Sequence, residues 1–107
     1  MLKFTLKRGD TSPALTLSLS PKTVSLAGAT AQFKLRARAG PTVLDRPAQI
    51  VQAYQPAILR YRWHPTDALE PGRYEAEFRV IYLDGSIETF PNLGYIEVFV
   101  TEEIARL

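Results

Sequence analysis

Residues 74–80 alternate without a break: Tyr74, Ala76, Phe78 and Val80, with Tyr82 beyond them, share one parity, and Glu75, Glu77 and Arg79 share the other. Successive side chains of an extended strand point to opposite faces, so this run predicts a long strand with one buried and one wet face, whereas a helix would mix the two sets. Asp84-Gly85 follows. Both residues tolerate the positive φ of a type I′ turn, so the chain is expected to fold back as a two-residue hairpin. In that register Leu83 faces Ser86, Tyr82 faces Ile87, Val80 faces Thr89 and Arg79 faces Phe90. Upstream, Pro71-Gly72-Arg73-Tyr74 has the spacing of a tyrosine corner, in which a Tyr at a strand start bonds backbone a few residues earlier.

The rest of the chain keeps the same rhythm. Leu2, Phe4 and Leu6 alternate with Lys3, Thr5 and Lys7, and Leu15, Leu17 and Leu19 mark a second strand. A third places Ala31, Phe33, Leu35 and Ala37 inside, with Gln32, Lys34, Arg36 and Arg38 outside. Between 42 and 55, Val43-Leu44 and Ile50-Val51 read as two short paired strands, and Pro47 favours an edge because it cannot donate to a ladder. Ala57, Leu59, Tyr61 and Trp63 then alternate against Ile58, Arg60 and Arg62, and a brief helical turn around 68–70 leads into the long strand. Over 95–101, Ile96, Val98 and Val100 alternate with Tyr95, Glu97 and Phe99, whose apolar members predict a partly covered outer side. No segment repeats apolar residues at helical spacing for three turns. The expected fold is an all-β, immunoglobulin-like antiparallel β-sandwich of seven to eight strands, one domain over 1–107 with a short tail at 102–107.

At 107 residues the chain can bury one core without covalent staples. With no cysteine, disulfides, thiolate metal sites and cysteine nucleophiles are excluded. No apolar run approaches the about 20 residues of a helical membrane span, and 1–5 alternate instead of forming a signal peptide's apolar block. The net charge of +2 names no partner by itself.

Catalysis finds little to work with. His64 is the only histidine and sits beside Pro65 at a strand end, where a surface or capping role outweighs a triad or a metal ligand. Glu75 and Glu77 belong to a solvated face, and no glycine-rich phosphate loop is present. Lys34, Arg36 and Arg38 form one basic stripe and Arg60 and Arg62 another, which would meet phosphates if their strands were neighbours. Pairing with Glu75, Glu77, Glu88 or Glu97 is the favoured reading, since acidic and basic residues nearly balance, so nucleic acid is not the expected partner. Tyr95, Phe99 and Phe90 are candidates for stacking on sugars. Arg8-Gly9-Asp10 spells an adhesion tripeptide but also suits a turn.

Four stretches taken together carry a resemblance: Phe4-Thr5-Leu6-Lys7-Arg8-Gly9-Asp10-Thr11-Ser12-Pro13, Tyr61-Arg62-Trp63, Pro71-Gly72-Arg73-Tyr74-Glu75-Ala76-Glu77-Phe78, and Asp84-Gly85-Ser86-Ile87-Glu88-Thr89-Phe90-Pro91-Asn92. In order and spacing, over nearly the whole chain, they resemble the N-terminal domain of tailed-bacteriophage baseplate upper proteins. That resemblance implies an immunoglobulin-like sandwich without catalytic residues or cofactor, a structural virion component of the baseplate or tail that docks by surface contacts. The family's proteins continue into receptor-binding modules beyond the point matching Leu107, which leaves a head-decoration or neck role open. A carbohydrate- or nucleic-acid-binding module is the rival from another class. The implied partners are other virion proteins in a homo-oligomeric or otherwise symmetric assembly, with no membrane, and the implied location is the virion, assembled in the bacterial host cytoplasm. The candidate interface comprises Arg8 and Asp10 after the first strand, the loop with Phe90, Pro91 and Asn92, the outward Phe99, and Ile104 with Leu107 in the tail. The 40–47 hairpin is a further candidate surface.

Overall fold

In a computed structural model, which describes residues 2–67 and 69–104, the chain forms nine strands and one short 3-10 turn, Pro65–Asp67. The strands are β1 (Leu2–Lys7), β2 (Leu15–Ser18), β3 (Thr30–Ala37), β4 (Thr42–Pro47), β5 (Gln49–Gln52), β6 (Ile58–Tyr61), β7 (Gly72–Ile81), β8 (Ile87–Phe90) and β9 (Ile96–Thr101). They make an immunoglobulin-like β-sandwich. The larger sheet runs β1-β9-β7-β3-β4, with β8 also on β7; the smaller runs β2-β6-β5.

The long alternating strand is the centre of the larger sheet. β7 pairs with β3 along its length, from Thr30 opposite Ile81 to Ala37 opposite Tyr74. Its other side is shared in tandem, with β9 along residues 72–76 and β8 along 78–81. Facing the smaller sheet are Phe33, Leu35, Ala76, Phe78, Val80 and Val98, all at most 1% exposed. An aromatic knot joins the layers: Phe33 of β3 stacks on Tyr61 of β6 at 4.2 Å and 8°, and Trp63 meets both rings edge-on at 5.6 and 5.3 Å. Removing a large side chain of this kind from water contributes about 1.5–3 kcal/mol.

The tyrosine corner is present. The Tyr74 hydroxyl donates to the Glu70 carbonyl at 2.6 Å, fixing the loop before β7.

Five features differ from the sequence expectation. The strand count is nine rather than seven or eight, and β1 runs parallel to β9, so one pair in the sheet is not antiparallel. The two short strands at 42–55 form but do not pair with each other: β4 adds to β3 as an edge of the larger sheet and β5 to β6 in the smaller one. They lie in different layers because Ala48 separates them and its N–H bonds the Ala31 carbonyl at 2.9 Å, which lets the chain change sheets. The helical turn lies at Pro65–Asp67, ahead of the expected position, because the Asp67 carboxylate accepts the His64 N–H at 2.8 Å and closes it there.

The hairpin register is shifted by one residue. Ile81 pairs with Ile87, Val80 with Glu88, Arg79 with Thr89 and Phe78 with Phe90. The cause is a longer turn, in which the Tyr82 N–H reaches the Ser86 carbonyl at 2.8 Å and the Gly85 N–H returns to the Tyr82 carbonyl at 2.9 Å. Asp84 Oδ1 accepts from the Ser86 N–H and hydroxyl at 2.9 and 2.6 Å, and Gly85 takes φ +87°. A turn followed by a left-handed glycine is the three-residue hairpin loop. A one-residue slip sends every side chain of β8 to the opposite face.

Candidate interaction surface and polar cavity

That slip decides the fate of Phe90. Placed opposite Phe78, it is 3% exposed and belongs to the core, so it cannot serve as the docking or sugar-stacking residue expected of it. Its neighbour Pro91 is half-buried, and the exposed Asn92 bonds back to β8, its amide donating to Glu88 Oε2 and to the Thr89 carbonyl at 3.0 Å each. Phe99 does face outward, but Arg73 lies 5.5 Å over its ring, and Arg36 lies 4.8 Å over Tyr95. Each aromatic therefore already has a cation on one face. Of the tail, Ile104 is 89% exposed and Leu107 lies outside the described residues.

Arg8 is not a free adhesion side chain. Its Nη2 meets Glu103 at 2.7 Å and its Nη1 meets Glu70 at 3.4 Å, tying the end of β1 to the segment after β9 and to the loop before β7. Hydrogen bonding by Glu103 raises its affinity for the proton further. Asp10 is exposed in the turn that follows, its N–H bonded to the Lys7 carbonyl at 3.0 Å. His64 bonds Thr66 Oγ1 through Nδ1 at 2.7 Å in the exposed 3-10 turn, the capping role expected of it.

The two basic stripes lie in different layers, Lys34 and Arg36 on β3 and Arg60 on β6, so they do not merge into one patch. Arg36 bonds Glu75 at 2.8 Å, Lys34 pairs with Asp45 at 3.5 Å, and Arg60 reaches Gln49 at 3.2 Å. The basic side chains of β3 are therefore paired with acidic side chains of its two neighbours, β4 and β7. Exposed pairs of this type contribute under about 1 kcal/mol each.

Two regions at opposite ends of β1 stand apart from this balanced surface. At its beginning, Leu2, Pro91, Leu93, Gly94 and Tyr95 line an open cleft of about 390 Å³. Leu93 is 93% exposed, Leu2 46% and Tyr95 38%. The outer edge of β1 borders the cleft, and no described strand pairs with it. Leu2 has inward parity, as expected, yet stays half in solvent at the strand's end. Leu93 carried a legible signal: an apolar residue among Pro91, Asn92 and Gly94 sits in a turn, where it has no face to bury.

At the other end of β1, a cavity of about 20 Å³ is lined by Leu6, Arg8, Trp63, His64, Asp67 and Val100, among others. Asp67 organises it. Its Oδ2 accepts from the Tyr61 hydroxyl at 2.7 Å and from the His64 N–H, while its Oδ1 is approached by Arg46 Nη2 at 3.4 Å. The last contact is an ion pair without hydrogen-bond alignment, and Oδ1 is buried with no hydrogen-bond partner. Trp63 Nε1 is in the same condition. Burial first, and the Asp67 carboxylate second, hold the Tyr61 hydroxyl protonated well above the ordinary tyrosine range. Among the described residues, no group of three or more His, Cys, Asp and Glu side chains could hold a metal ion.

No protein-family model and no curated protein matches the chain. Among solved structures it is similar to CopC from Methylosinus trichosporium OB3b, with 21% identity over 100% of this chain and 91% of that chain and a TM-score of 0.58. What the two share is the sandwich. The finding overturns the virion reading: a solved structure that covers all of this chain is CopC of Methylosinus trichosporium OB3b, not a phage component. The baseplate, tail, head-decoration and neck roles are withdrawn, and so is the virion location.

Proposed function

We propose that this protein is a non-enzymatic β-sandwich module that binds an extended, acidic segment of a partner protein along the outer edge of β1. The observation that carries the reading is the exposed apolar set of Leu2, Leu93 and Tyr95 beside that edge. An edge strand presents a row of backbone N–H and C=O groups to a further strand, and a neighbouring apolar pocket supplies the side-chain recognition such an addition uses. Charge supports the acidic character. Lys3, Thr5 and Lys7 are the exposed outward positions of β1. Two copies paired antiparallel about Thr5 would set Lys3 against Lys7, a repulsive arrangement, whereas acidic side chains at those positions make both pairs attractive.

A copper site is not supported by the residues of this chain. The sequence has one histidine, no cysteine and one methionine, and the histidine's Nδ1 is engaged by Thr66. Soft-metal sites are built from clustered imidazole and sulfur donors, which the described residues do not bring together.

The test is a titration of the isotopically labelled protein with a short synthetic peptide alternating valine with glutamate, followed by amide chemical shifts. Saturable shifts confined to β1 and residues 91–95, weakened in Leu93→Ser and reversed in preference toward a valine–lysine peptide in a Lys3→Glu, Lys7→Glu variant, are the expected result. Shifts elsewhere, no saturation, or a native mass showing that β1 already pairs with a second copy would overturn it.

A further inference from the structure

Two residues that line the cavity at the far end of β1 each carry a buried side-chain atom without a hydrogen bond, and the chemistry of the two atoms is complementary. Trp63 Nε1–H can only donate, and Asp67 Oδ1 can only accept. A buried polar atom left without a hydrogen bond costs about 1–3 kcal/mol, and each of these two would gain from a small group that bonds it.

We propose that this cavity is a binding site for one hydroxyl group, which accepts from Trp63 Nε1–H and donates to Asp67 Oδ1. Size selects first. A volume of about 20 Å³ is room for a single water-sized group. Charge selects next. A cation would face the indole N–H as well as the guanidinium groups of Arg46, 3.4 Å from Oδ1, and of Arg8 on the wall. An anion would face the Asp67 carboxylate, with Asp10 also on the wall. Only a neutral group that both donates and accepts matches both walls, and a hydroxyl is the smallest that does so. It can come from solvent as one ordered water or from a small polyol whose remaining atoms stay outside the mouth. Asp67 is held in place for the task, because its other oxygen is fixed by Tyr61 and the His64 N–H. The site does not depend on what binds at β1.

The single tryptophan makes the test direct, since its indole proton gives one resonance. In the unmodified protein, cross-peaks between that proton and water are recorded in the laboratory and rotating frames, without and with glycerol. Peaks of opposite sign in the two experiments, unchanged by glycerol, identify a long-lived water. Loss of those peaks together with a saturable shift of the indole resonance on adding glycerol identifies a polyol hydroxyl. Peaks of the same sign, meaning simple proton exchange, or no peak and no glycerol shift, would overturn the proposal. An Asp67→Asn variant, which keeps an oxygen acceptor, is expected to retain the signal, and Asp67→Leu to lose it while the other backbone resonances stay dispersed.

Discussion

The two ends of β1 fail to satisfy their atoms in opposite ways. At the end near Trp63, polar atoms are removed from water: Nε1 of Trp63 and Oδ1 of Asp67 are buried without hydrogen bonds. At the end near Leu93, apolar side chains sit in water, Leu93 almost fully and Leu2 about half. Between them, the inner face of the larger sheet is buried and its outer face carries ion pairs. Places where burial and chemistry disagree are where a ligand or a partner has most to contribute. The comparison also separates two energies: changes at the closed end should cost stability, and changes at the open end should cost only binding.

The largest effect is expected from Phe33→Ala beside the closed end. Phe33 is fully buried and touches Tyr61, Trp63 and Phe78, so its loss should destabilise the fold by about 3–5 kcal/mol, read from the denaturant midpoint. A cost under about 1 kcal/mol would mean that the knot does not join the sheets.

Alkaline pH probes the same end without mutation. Burial, then bonding to Asp67, raises the Tyr61 pKa, and burial with bonding to Glu88 pushes Tyr82 up to about 12. The folded state therefore holds these protons more tightly than the unfolded chain. The associated stability is complete below the ordinary tyrosine value near 10 and is lost as pH rises toward the folded values. Ultraviolet titration should show late-ionising tyrosines whose ionisation coincides with unfolding. Ordinary titration of all five tyrosines in a still-folded protein would contradict this.

Tyr74→Phe removes the corner hydrogen bond and is expected to cost about 1 kcal/mol, because the Glu70 carbonyl can turn to solvent in its place. Arg36→Ala, on the exposed outer face, should cost less stability than Tyr74→Phe, and that loss should shrink in high salt.

Leu93→Ser completes the series. Its side chain is 93% exposed, so thermal stability should move by no more than about 0.5 kcal/mol while affinity for the acidic peptide falls. A large loss of stability would show that Leu93 packs within the fold and would remove the open end as a docking surface.

The fold was readable because each strand announces itself locally: parity alone placed Phe33, Leu35, Phe78, Val80 and Val98 inside and Arg36, Glu75 and Glu97 outside. Gly72-Arg73-Tyr74 likewise announced its corner. The candidate site was less legible. A two-residue turn at Asp84-Gly85 would send Phe90 outward, and one further residue in the loop reverses it. Trp63 and Asp67 were each unremarkable in sequence and became a pair only when the 3-10 turn brought them to one cavity.

The sequence by itself determined which segments are strands and which face of each is apolar, because alternation is a property of a single extended segment. Tertiary structure decided the rest: the parallel β1–β9 pair, the separation of β4 from β5 into different layers, the hairpin register, and the two ends of β1 where atoms remain unsatisfied. Pairing and register depend on contacts between residues far apart in the chain and on turn lengths, where one residue inverts a face.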